Sequence, residues 1–485
     1  MEKSKEAIFI GIDIGTQGIR IMAVTDDGSI AASDSHTFSL MSELNIREEQ
    51  SPELWWNYTL RSLKKVSEEL KTLGVLNQVA AISVTSTSGT VIPLDRNCQP
   101  LHHALMYSDT RSTKEALLCR EASRRAGGED YTPFEPSYGL PKIVWFSKQF
   151  PEKAEQVHLW CHPTDFILGK LSNQWGCTDY TNALKTGFNL VTEKWPDYLQ
   201  QELNLPSSWF PKVVPSGTVL GTLSAEISEL SHLPETIKVV AGLTDGCASQ
   251  MASGSLKPGE WNTTIGTTMV IKGVTRNRIM DPLGRLYNHK HPKGYWMPGG
   301  ASNTGADWIS TDFEQDDLNH LNQWSERFIP TGTISYPLKQ HGERFPFISQ
   351  AARGFDAPNL SREQLYASRM EGLAYLERLA YEMIEELSSE KVQEVYTAGG
   401  GSNSDVWLAI RSNVLNKPIY RMEHNEGAIG AAIVAASGTY FSDIESAGRH
   451  MLKLSKVVEP GAWVEHYDEG YYLFIEALKS RGFLA

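Results

Sequence analysis

The sequence is poor in cysteine and has no long apolar segment. Its 485 residues include five cysteines, an odd number, scattered without a CxxC pair. This usage excludes a disulfide framework and a cysteine-based zinc site, and it is typical of reduced thiols in a cytoplasmic protein. The longest stretch of small apolar residues, 428–436, is too short to span a bilayer. Residues 7–12 are too few for a signal-peptide core and instead predict a strand.

Several common enzyme motifs are also missing. No GxxxxGK[ST] phosphate-binding loop occurs, and the GxGxxG dinucleotide fingerprint is not completed after Gly399, because position 404 is serine. There is no GxSxG nucleophile motif. Four histidines also lack the spacing of zinc ligands: His102, His103, His289 and His291. The net charge of −13 argues against nucleic acid and anionic membranes as partners, although a local positive cradle could still bind an anionic substrate.

The sequence does contain a pattern that occurs twice. A strand, a turn beginning Gly-Thr and a second strand are predicted over residues 7–24 and again over residues 260–272. A chain of 485 residues is long enough for two domains. The repeat therefore predicts a duplicated fold with a cleft between its halves, and residues 113–233 are expected to form an elaborated substrate subdomain.

Asp245 is the residue that points most directly to chemistry. Residues 239–241 predict a strand, and the turn Thr244-Asp245-Gly246 opens a helix of small residues. Open α/β sheets bind ligands at the carboxyl ends of their strands, and a helix N-terminus favours an ionised carboxylate. Asp245 is therefore a candidate general base that takes a proton from an attacking hydroxyl. The alternative is a plain helix cap.

The first Gly-Thr turn is a candidate phosphate site. Gly15, Thr16 and Gln17 offer backbone N–H groups and a hydroxyl that suit a phosphate. Asp13 precedes them inside a predicted strand, where aspartate is disfavoured. A role as a ligand of Mg²⁺, which takes one or two carboxylates with phosphate oxygens and water, would explain it. An ordinary tight hairpin is the alternative.

Two glycine-containing turns of the second half are candidates for nucleotide contacts. Gly266, Thr267 and Thr268 repeat the donors of the first turn without an acid, and a plain hairpin is again the alternative. The triple glycine 399–401 follows a predicted strand. Without side chains it lets a flat adenosine lie on bare backbone, although such a run is also common in simple turns.

A hydroxyl-rich segment marks a candidate pocket for the acceptor of the reaction. Ser88 and Gly89 lie at the end of a predicted strand and could hold sugar hydroxyls; a serine- and threonine-rich turn is the alternative. Tyr107, Asp109 and Arg111 could form a polar wall of the same pocket, or an ion pair at the surface.

In this order, these residues resemble the FGGY carbohydrate kinase family, a branch of the actin, hexokinase and Hsp70 superfamily. The resemblance covers nearly the whole chain. It rests on the following segments: Gly11-Ile12-Asp13-Ile14-Gly15-Thr16, Thr87-Ser88-Gly89, Thr244-Asp245-Gly246, Leu256-Lys257-Pro258-Gly259, Ile265-Gly266-Thr267-Thr268, Glu371-Gly372 and Ala398-Gly399-Gly400-Gly401.

The resemblance implies an α/β fold of two ribonuclease-H-like domains, each with a mixed five-stranded sheet, around a central cleft. We place the sugar-binding domain at residues 1–241 and the ATP-binding domain at residues 242–485. ATP and Mg²⁺ are the expected cofactors. A small sugar and ATP are the expected partners, with a homodimer left open and with neither nucleic acid nor membrane.

The resemblance also assigns roles to residues. Asp245 matches the catalytic base, and Asp13 matches the aspartate that organises Mg²⁺. The sugar would contact Ser88, Gly89, Asp13 and Asp245. The nucleotide would contact a larger set: Gly15, Thr16, Gln17, Gly266, Thr267, Thr268, Asn303, Gly400, Gly401, Ser404 and Trp407.

Within the family, several stretches are most similar to D-ribulose kinases, among them residues 179–185, 299–303 and 342–346. Thr87-Ser88-Gly89 stands where xylulose kinases carry Met-His-Gly, and the lost histidine would remove a sugar contact. We therefore expect a kinase for a ketopentose such as D-ribulose. The alternatives are a xylulose, glycerol or polyol kinase, and a regulatory actin-like ATPase without catalysis.

Overall fold

The computed structural model describes residues 6–38, 47–127, 131–313 and 317–484. Its strands are β1 (Ile8–Ile14), β2 (Gly18–Thr25), β3 (Ile30–Thr37), β4 (Glu49–Gln50), β5 (Val79–Ser86), β6 (Ile92–Leu94), β7 (Ala104–Leu105), β8 (Leu159–Cys161), β9 (Cys177–Asp179), β10 (Lys212–Val214), β11 (Val219–Thr222), β12 (Lys238–Thr244), β13 (Glu260–Ile265), β14 (Met269–Gly273), β15 (Tyr287–Lys290), β16 (Trp296–Ala301), β17 (Glu394–Ala398), β18 (Ile419–Met422) and β19 (Leu454–Val458).

The helices complete the α/β pattern. They are α1 (Pro52–Thr72), α2 (Thr113–Gly127), α3 (Gly139–Gln149), α4 (Pro151–Ala154), α5 (Pro163–Ser172), α6 (Tyr180–Ala183), α7 (Tyr198–Gln201), α8 (Ala225–Ser231), α9 (Asp245–Ser253), α10 (Asp307–Asp312), α11 (Leu318–Ser325), α12 (Arg362–Ser388), α13 (Asp405–Leu415), α14 (Gly427–Ser437), α15 (Ile444–Met451) and α16 (Val464–Ser480). Over the described ranges, none of these helices has the length and apolar character needed to cross a bilayer. All five cysteines are free thiols.

Two main sheets share one strand order. The first runs β11-β12-β5-β1-β2-β3, and the second runs β15-β16-β14-β13-β17-β18-β19. In both, a Gly-Thr hairpin and a further antiparallel strand lie on one side, and two parallel strands lie on the other side of the first hairpin strand. This arrangement confirms the duplication that the repeated hairpin predicts and the ribonuclease-H-like α/β fold that the family resemblance implies.

The predicted five strands per sheet are present in both sheets, and each sheet has further strands. The first sheet has six strands, because β11 adds antiparallel to β12. The second has seven, because β19 adds antiparallel to β18 and β15 adds beside β16. The additions lie at sheet edges, where they pair backbone groups that would otherwise be exposed.

The chain forms two compact units that differ from a simple division at residue 241. The first contains the residues up to Ala252 together with His289–Gly294 and Glu426–Leu452. The second contains Ser253–Asn288, Tyr295–Asn425 and the residues from Lys453 onward. Helices α14 and α15 thus belong to the first unit although they lie late in the sequence.

Close backbone contact holds α14 in the first unit. Every residue of this helix is buried. A Cβ on Gly11 of β1 would lie 1.8 Å from the Ala428 carbonyl oxygen, and a Cβ on Gly430 would lie 2.1 Å from the Ala248 carbonyl oxygen in α9. Only glycine permits such distances, so the small residues of 427–437 pack against both a strand and a helix that precede them by more than a hundred residues.

The region predicted to be an elaborated subdomain has a hydrophobic cluster of its own. Residues of α2 and α3, including Cys119, Leu140 and Phe146, pack with Trp160 and Trp209. This cluster is separate from the one between α1, α5 and the first sheet. Residues 113–233 therefore carry a local core beside the main sheet of the first unit.

A buried ion pair supports the second sheet. Arg411 of α13 donates to both carboxylate oxygens of Glu377 in α12, each at 2.7 Å, and both side chains are fully buried. Arg411 also donates to the Thr397 hydroxyl in β17. The pair therefore ties two helices to the strand that leads into the triple glycine.

Replacing Arg411 is expected to destabilise the second unit strongly. Arg411→Met leaves the Glu377 carboxylate buried without its partner, which costs about 3–5 kcal/mol. The matched control is Lys391→Met, because the side chain of Lys391 is 81% exposed in its ion pair with Glu385 and such pairs contribute at most about 1 kcal/mol. Urea unfolding of both variants measures the difference, and equal losses would contradict the assignment.

Candidate functional site

Parallel pairing brings the candidate carboxylates to one sheet edge. β12, β5 and β1 are neighbours in the first sheet and run in the same direction. Asp13 of β1 stands opposite Thr85 of β5, and Thr85 stands opposite Leu243 of β12, two residues before Asp245. Asp13 and Asp245 therefore lie at the carboxyl end of the same three strands, where such sheets bind ligands.

The two carboxylates interact electrostatically. Burial is the main cause that raises the pKa of Asp13 to about 6, and the charge of Asp245 raises it further, while Arg20 lowers it. Arg20 is the cross-strand partner of Asp13 in the hairpin. At this edge, burial and the charge of Asp245 both oppose ionisation of Asp13, a condition that a bound cation or a proton would relieve.

Helix α14 begins directly against Asp13. A Cβ on Gly427, the first residue of the helix, would lie 2.7 Å from Oδ2 of Asp13. The positive end of the helix therefore faces the carboxylate. Sequence reasoning assigned no role to Gly427; the signal available was a glycine that opens a run of small apolar residues.

Asp245 is both a helix-start residue and an accessible carboxylate. It is the first residue of α9, and its Oδ1 accepts a hydrogen bond from the Gly246 N–H at 2.6 Å. The residue is only partly buried. This hydrogen bond to the next residue restrains the carboxylate while part of the residue stays exposed, which is compatible with the functional interpretation.

The first Gly-Thr turn is a rigid element beside these acids. The Gly15 N–H donates to the Gly18 carbonyl at 2.9 Å. Gln50 donates from its side chain to the Thr16 carbonyl at 2.9 Å, and Gln17 is exposed. The Thr16 hydroxyl lies 3.4 Å from the Tyr107 hydroxyl. The turn therefore also borders the acceptor wall, the predicted polar wall of Tyr107, Asp109 and Arg111.

The predicted acceptor residues come together in the first unit. Oγ of Ser88 is buried and has no hydrogen-bond partner among the described residues. Gly89 has a φ of +90°, and a Cβ there would lie 2.4 Å from the Ser137 carbonyl oxygen. The Tyr107 N–H donates to the Thr90 hydroxyl at 3.1 Å. A buried hydroxyl in need of a partner is a natural contact for a ligand hydroxyl.

The alternative of a surface ion pair does not describe Asp109 and Arg111. The side chain of Asp109 is only 1% exposed, and Nη2 of Arg111 lies 2.8 Å from its Oδ2. Arg111 also binds Glu49 and stacks over Trp145. The pair is therefore a fixed part of the wall.

Sequence reasoning missed a buried lysine behind this wall. Lys142 of α3 is fully buried and donates to the carbonyls of Pro136 and Tyr138. Burial lowers the pKa of Lys142 to about 7, although the charge of Asp109 raises it. A lysine within the apolar segment 140–146 is the signal that could have revealed it.

Lys185 lies next to the glycine of the acceptor wall. A Cβ on Gly89 would lie 3.2 Å from Cδ of Lys185. Its ammonium group lies 5.5 Å from the centre of the Tyr138 ring, and its charge lowers the pKa of Lys142. The acceptor wall therefore combines hydroxyl, carboxylate and ammonium groups.

In the second unit, the second Gly-Thr turn packs on a neighbouring loop. The Gly266 N–H donates to the Thr268 carbonyl, and the Gly266 carbonyl accepts from Ala306 at 2.7 Å. A Cβ on Gly305 would lie 2.4 Å from the Thr267 carbonyl oxygen. Thr267 itself is exposed at the tip of the turn, where its hydroxyl is available to a ligand.

Within the triple glycine, Gly401 packs against other side chains, whereas Gly400 is open. A Cβ on Gly401 would lie 2.8 Å from Cγ2 of Ile265, whereas a Cβ on Gly400 would have no atom within 4 Å. Beside this loop lies a polar cavity of about 410 Å³, lined in part by Gly399, Asn403 and Arg421. Gly400 is thus exposed backbone of the kind that a planar ligand can approach.

Trp407 does not fit the role predicted for it. It is 1% exposed, and its indole N–H donates to the Met370 carbonyl at 3.1 Å. Its ring backs Gly401 from the core, so it supports the loop and offers no face to a nucleotide. Ser404 caps α13 through the Trp407 N–H, and its hydroxyl donates to Asn322.

Asn303 is held by a segment far along the sequence. Its N–H donates to Oε1 of Glu343 at 2.7 Å, and its side chain donates to the Gly342 carbonyl at 2.9 Å. The Glu343 carboxylate also accepts from Ser302 and Thr304. Residues 299–303 and 342–346, noted separately in the sequence, therefore form one structure.

Comparison with known proteins identifies the family. The model of the N-terminal domain of the FGGY family of carbohydrate kinases matches residues 8–252, and the model of its C-terminal domain matches residues 261–439. The chain belongs to the FGGY family of carbohydrate kinases. It is therefore a carbohydrate kinase, that is, a phosphotransferase.

Individual relatives are similar over their full length. A xylulose kinase of Staphylococcus epidermidis is 26% identical over 97% of this chain and 96% of its own. A gluconokinase of Bacillus subtilis is 25% identical over 89% of this chain and 87% of its own. The crystal structure of a xylulose kinase from Rhodospirillum rubrum superimposes with a TM-score of 0.83 at 23% identity, covering 98% of each chain, which supports the fold.

Proposed function

We propose that this FGGY kinase phosphorylates a hydroxyl group of a ketopentose, with D-ribulose as the acceptor. The observation that carries the proposal is the Asp13–Asp245 edge beside the buried, unpartnered hydroxyl of Ser88. Ser88 is small, and by the family resemblance it stands where xylulose kinases have histidine, so it would leave space and a hydroxyl for a differently oriented sugar hydroxyl. D-Xylulose is the second candidate, because the relative from S. epidermidis is named for it.

Asp245 would act as the general base. Its carboxylate accepts the proton of the sugar hydroxyl as that oxygen forms a bond to the γ-phosphorus of ATP. The bond from the γ-phosphorus to the β–γ bridging oxygen breaks at the same time, and ADP leaves with that electron pair. The Gly246 N–H donates to Oδ1 of this carboxylate at 2.6 Å and so restrains its orientation.

Asp13 and the two Gly-Thr turns would bind the charged part of ATP. The raised pKa of Asp13 reflects buried negative charge, and one carboxylate with phosphate oxygens and water is a donor set that Mg²⁺ accepts. When bound, Mg²⁺ would neutralise phosphate charge. The phosphate contacts that we propose are those of the two turns: Gly15, Thr16, Gln17, Gly266, Thr267 and Thr268.

The adenosine part of ATP would bind to the second unit. Gly400 provides exposed backbone, Gly401 shapes the loop, and the adjacent cavity has room for a small ligand. Asn303 and Ser404 would contribute through the positions that Glu343 and Asn322 fix. Trp407 is left out of this set because it is buried.

A panel of acceptors tests the function. ADP release would be followed with ATP and Mg²⁺ in the presence of D-ribulose, L-ribulose, D-xylulose, L-xylulose, ribitol, glycerol or D-gluconate, and without any acceptor. We expect kcat/KM for D-ribulose to exceed that for D-xylulose by about tenfold or more, the scale set by one altered polar contact. A higher value for D-xylulose would reassign the acceptor, and release without an acceptor would favour a regulatory ATPase.

Loss of the Asp245 carboxylate is expected to lower kcat with the best acceptor. Asp245→Ala removes the proton acceptor, and we expect kcat to fall by roughly 10²–10⁴-fold. The control is Asp197→Ala in the same unit, because Asp197 is exposed and its side chain caps no helix. Steady-state kinetics of both variants measures the effect. Wild-type turnover in Asp245→Ala would overturn the proposed mechanism.

Neighbouring glycines provide a matched test of the adenosine site. Gly401→Ala places a methyl group against Ile265 and Trp407, and such overpacking costs about 1–3 kcal/mol. Gly400→Ala meets no atom, so the thermal midpoint stays near that of the wild type. If adenosine lies on Gly400, the same variant raises the KM for ATP and leaves the KM for the sugar unchanged. Unaltered KM for ATP would remove Gly400 from the nucleotide site.

A further inference from the structure

We propose that Thr181, held by Asp179, positions the Asp245 carboxylate and is needed for turnover more than for substrate binding. This inference rests on the proposed role of Asp245 as the base. In this proposal Thr181 and Asp179 are positioning residues, with no contact to the sugar or ATP assigned to them. The proposal also explains why the buried carboxylate of Asp179 lies behind the edge that carries Asp245.

The hydroxyl of Thr181 links Asp179 to the strand that carries the base. It accepts a hydrogen bond from the Thr244 N–H at 2.8 Å and donates to Oδ1 of Asp179 at 2.6 Å. Thr244 is the last residue of β12 and immediately precedes Asp245. The position of the Asp245 backbone therefore depends on a side chain from the segment 177–183.

This hydrogen bond replaces backbone pairing where β12 loses a neighbour. β11 pairs with β12 as far as Val240, and the segment before β11 adds hydrogen bonds from the Ala241 N–H to the Thr218 carbonyl and from the Gly217 N–H to the Ala241 carbonyl. Beyond Ala241, the N–H of Thr244 donates to Thr181. A buried backbone N–H requires an acceptor, and Thr181 supplies it one residue before the base.

Asp179 accepts four hydrogen bonds from Thr181 and Asn182. Oδ1 accepts from the Thr181 N–H at 2.7 Å as well as from the hydroxyl, and it accepts from the Asn182 N–H at 3.2 Å. Oδ2 accepts from the Asn182 amide at 2.6 Å. The residues are nearly or fully buried, so the rotamer of Thr181 is fixed.

A second buried group fixes the strand that carries Asp179. The hydroxyl of Thr178 lies 2.9 Å from Nδ1 of His162, and Oδ2 of Asp165 lies 2.7 Å from the same atom. Nε2 of His162 lies 2.8 Å from the Thr186 hydroxyl, the residue after Lys185. Buried side chains therefore connect the segment that holds the base with the acceptor wall.

Three variants test the proposal. Thr181→Val keeps the shape and removes the hydroxyl, Thr181→Ser keeps the hydroxyl, and Thr59→Val removes an equally buried hydroxyl in α1, which donates to the Trp55 carbonyl. We expect Thr181→Val to lower kcat by up to about 10²-fold, the effect of misplacing a catalytic group by about 1 Å. The KM values for sugar and ATP should change by less than about threefold, far less than the roughly 10²-fold change expected for kcat. Thr181→Ser should restore most of kcat, and Thr59→Val should keep it.

The outcomes separate this inference from the function beneath it. If Asp245→Ala is inactive while Thr181→Val turns over at the wild-type rate, only the positioning role is wrong. If Asp245→Ala is active, the proposed base is wrong. Should Thr181→Val fail to fold, Thr181→Ala is measured instead, with kcat referred to the folded fraction. A loss of stability without a loss of kcat in that fraction would overturn the inference.

Discussion

The parallel pairing of β12, β5 and β1 is the constraint on which the rest of the first unit depends. Because these strands end at one edge, Asp13 and Asp245 interact although they are far apart in the sequence, and Ser88 follows β5, the strand between theirs. The pairing needs crossover connections on the faces of the sheet, and the described helices α1, α5 and α14 fill those faces. The topology therefore gathers three strand ends at one edge before any side chain is chosen.

That edge concentrates negative charge that the fold only partly offsets. Asp13 has a pKa raised to about 6 by burial and by Asp245, while Arg20 and the start of α14 act in the opposite sense. Such an arrangement stabilises the folded chain poorly and serves a ligand well, since a bound cation or phosphate-linked metal removes the repulsion. Glycine is required at position 427 because a side chain there would displace the carboxylate of Asp13.

Local patterns in the sequence revealed the elements with local causes. Both Gly-Thr hairpins and the strand-to-helix turn at Asp245 follow from neighbouring residues, and the structure contains them. The roles of Lys142, Gly427 and Thr181 were not predicted, because they depend on burial or on partners 60 or more positions away. A local sequence pattern reports neither. The same limit explains Trp407, whose position near the glycine loop suggested a ligand contact but whose ring turns into the core.

The two halves share a topology but use it differently. The first turn lies beside a strand-borne carboxylate and the acceptor wall, whereas the second turn has no acid and packs on Gly305. The first unit therefore has the groups for proton transfer, and the second has the bare backbone and cavity suited to a flat ligand. The two sheets provide equivalent edges, and under the proposed function the residues placed on them, not the fold, make one edge the site of proton transfer and the other a binding surface. Asp179 and Thr181 belong to the same division, because the second sheet has no base that would need to be held.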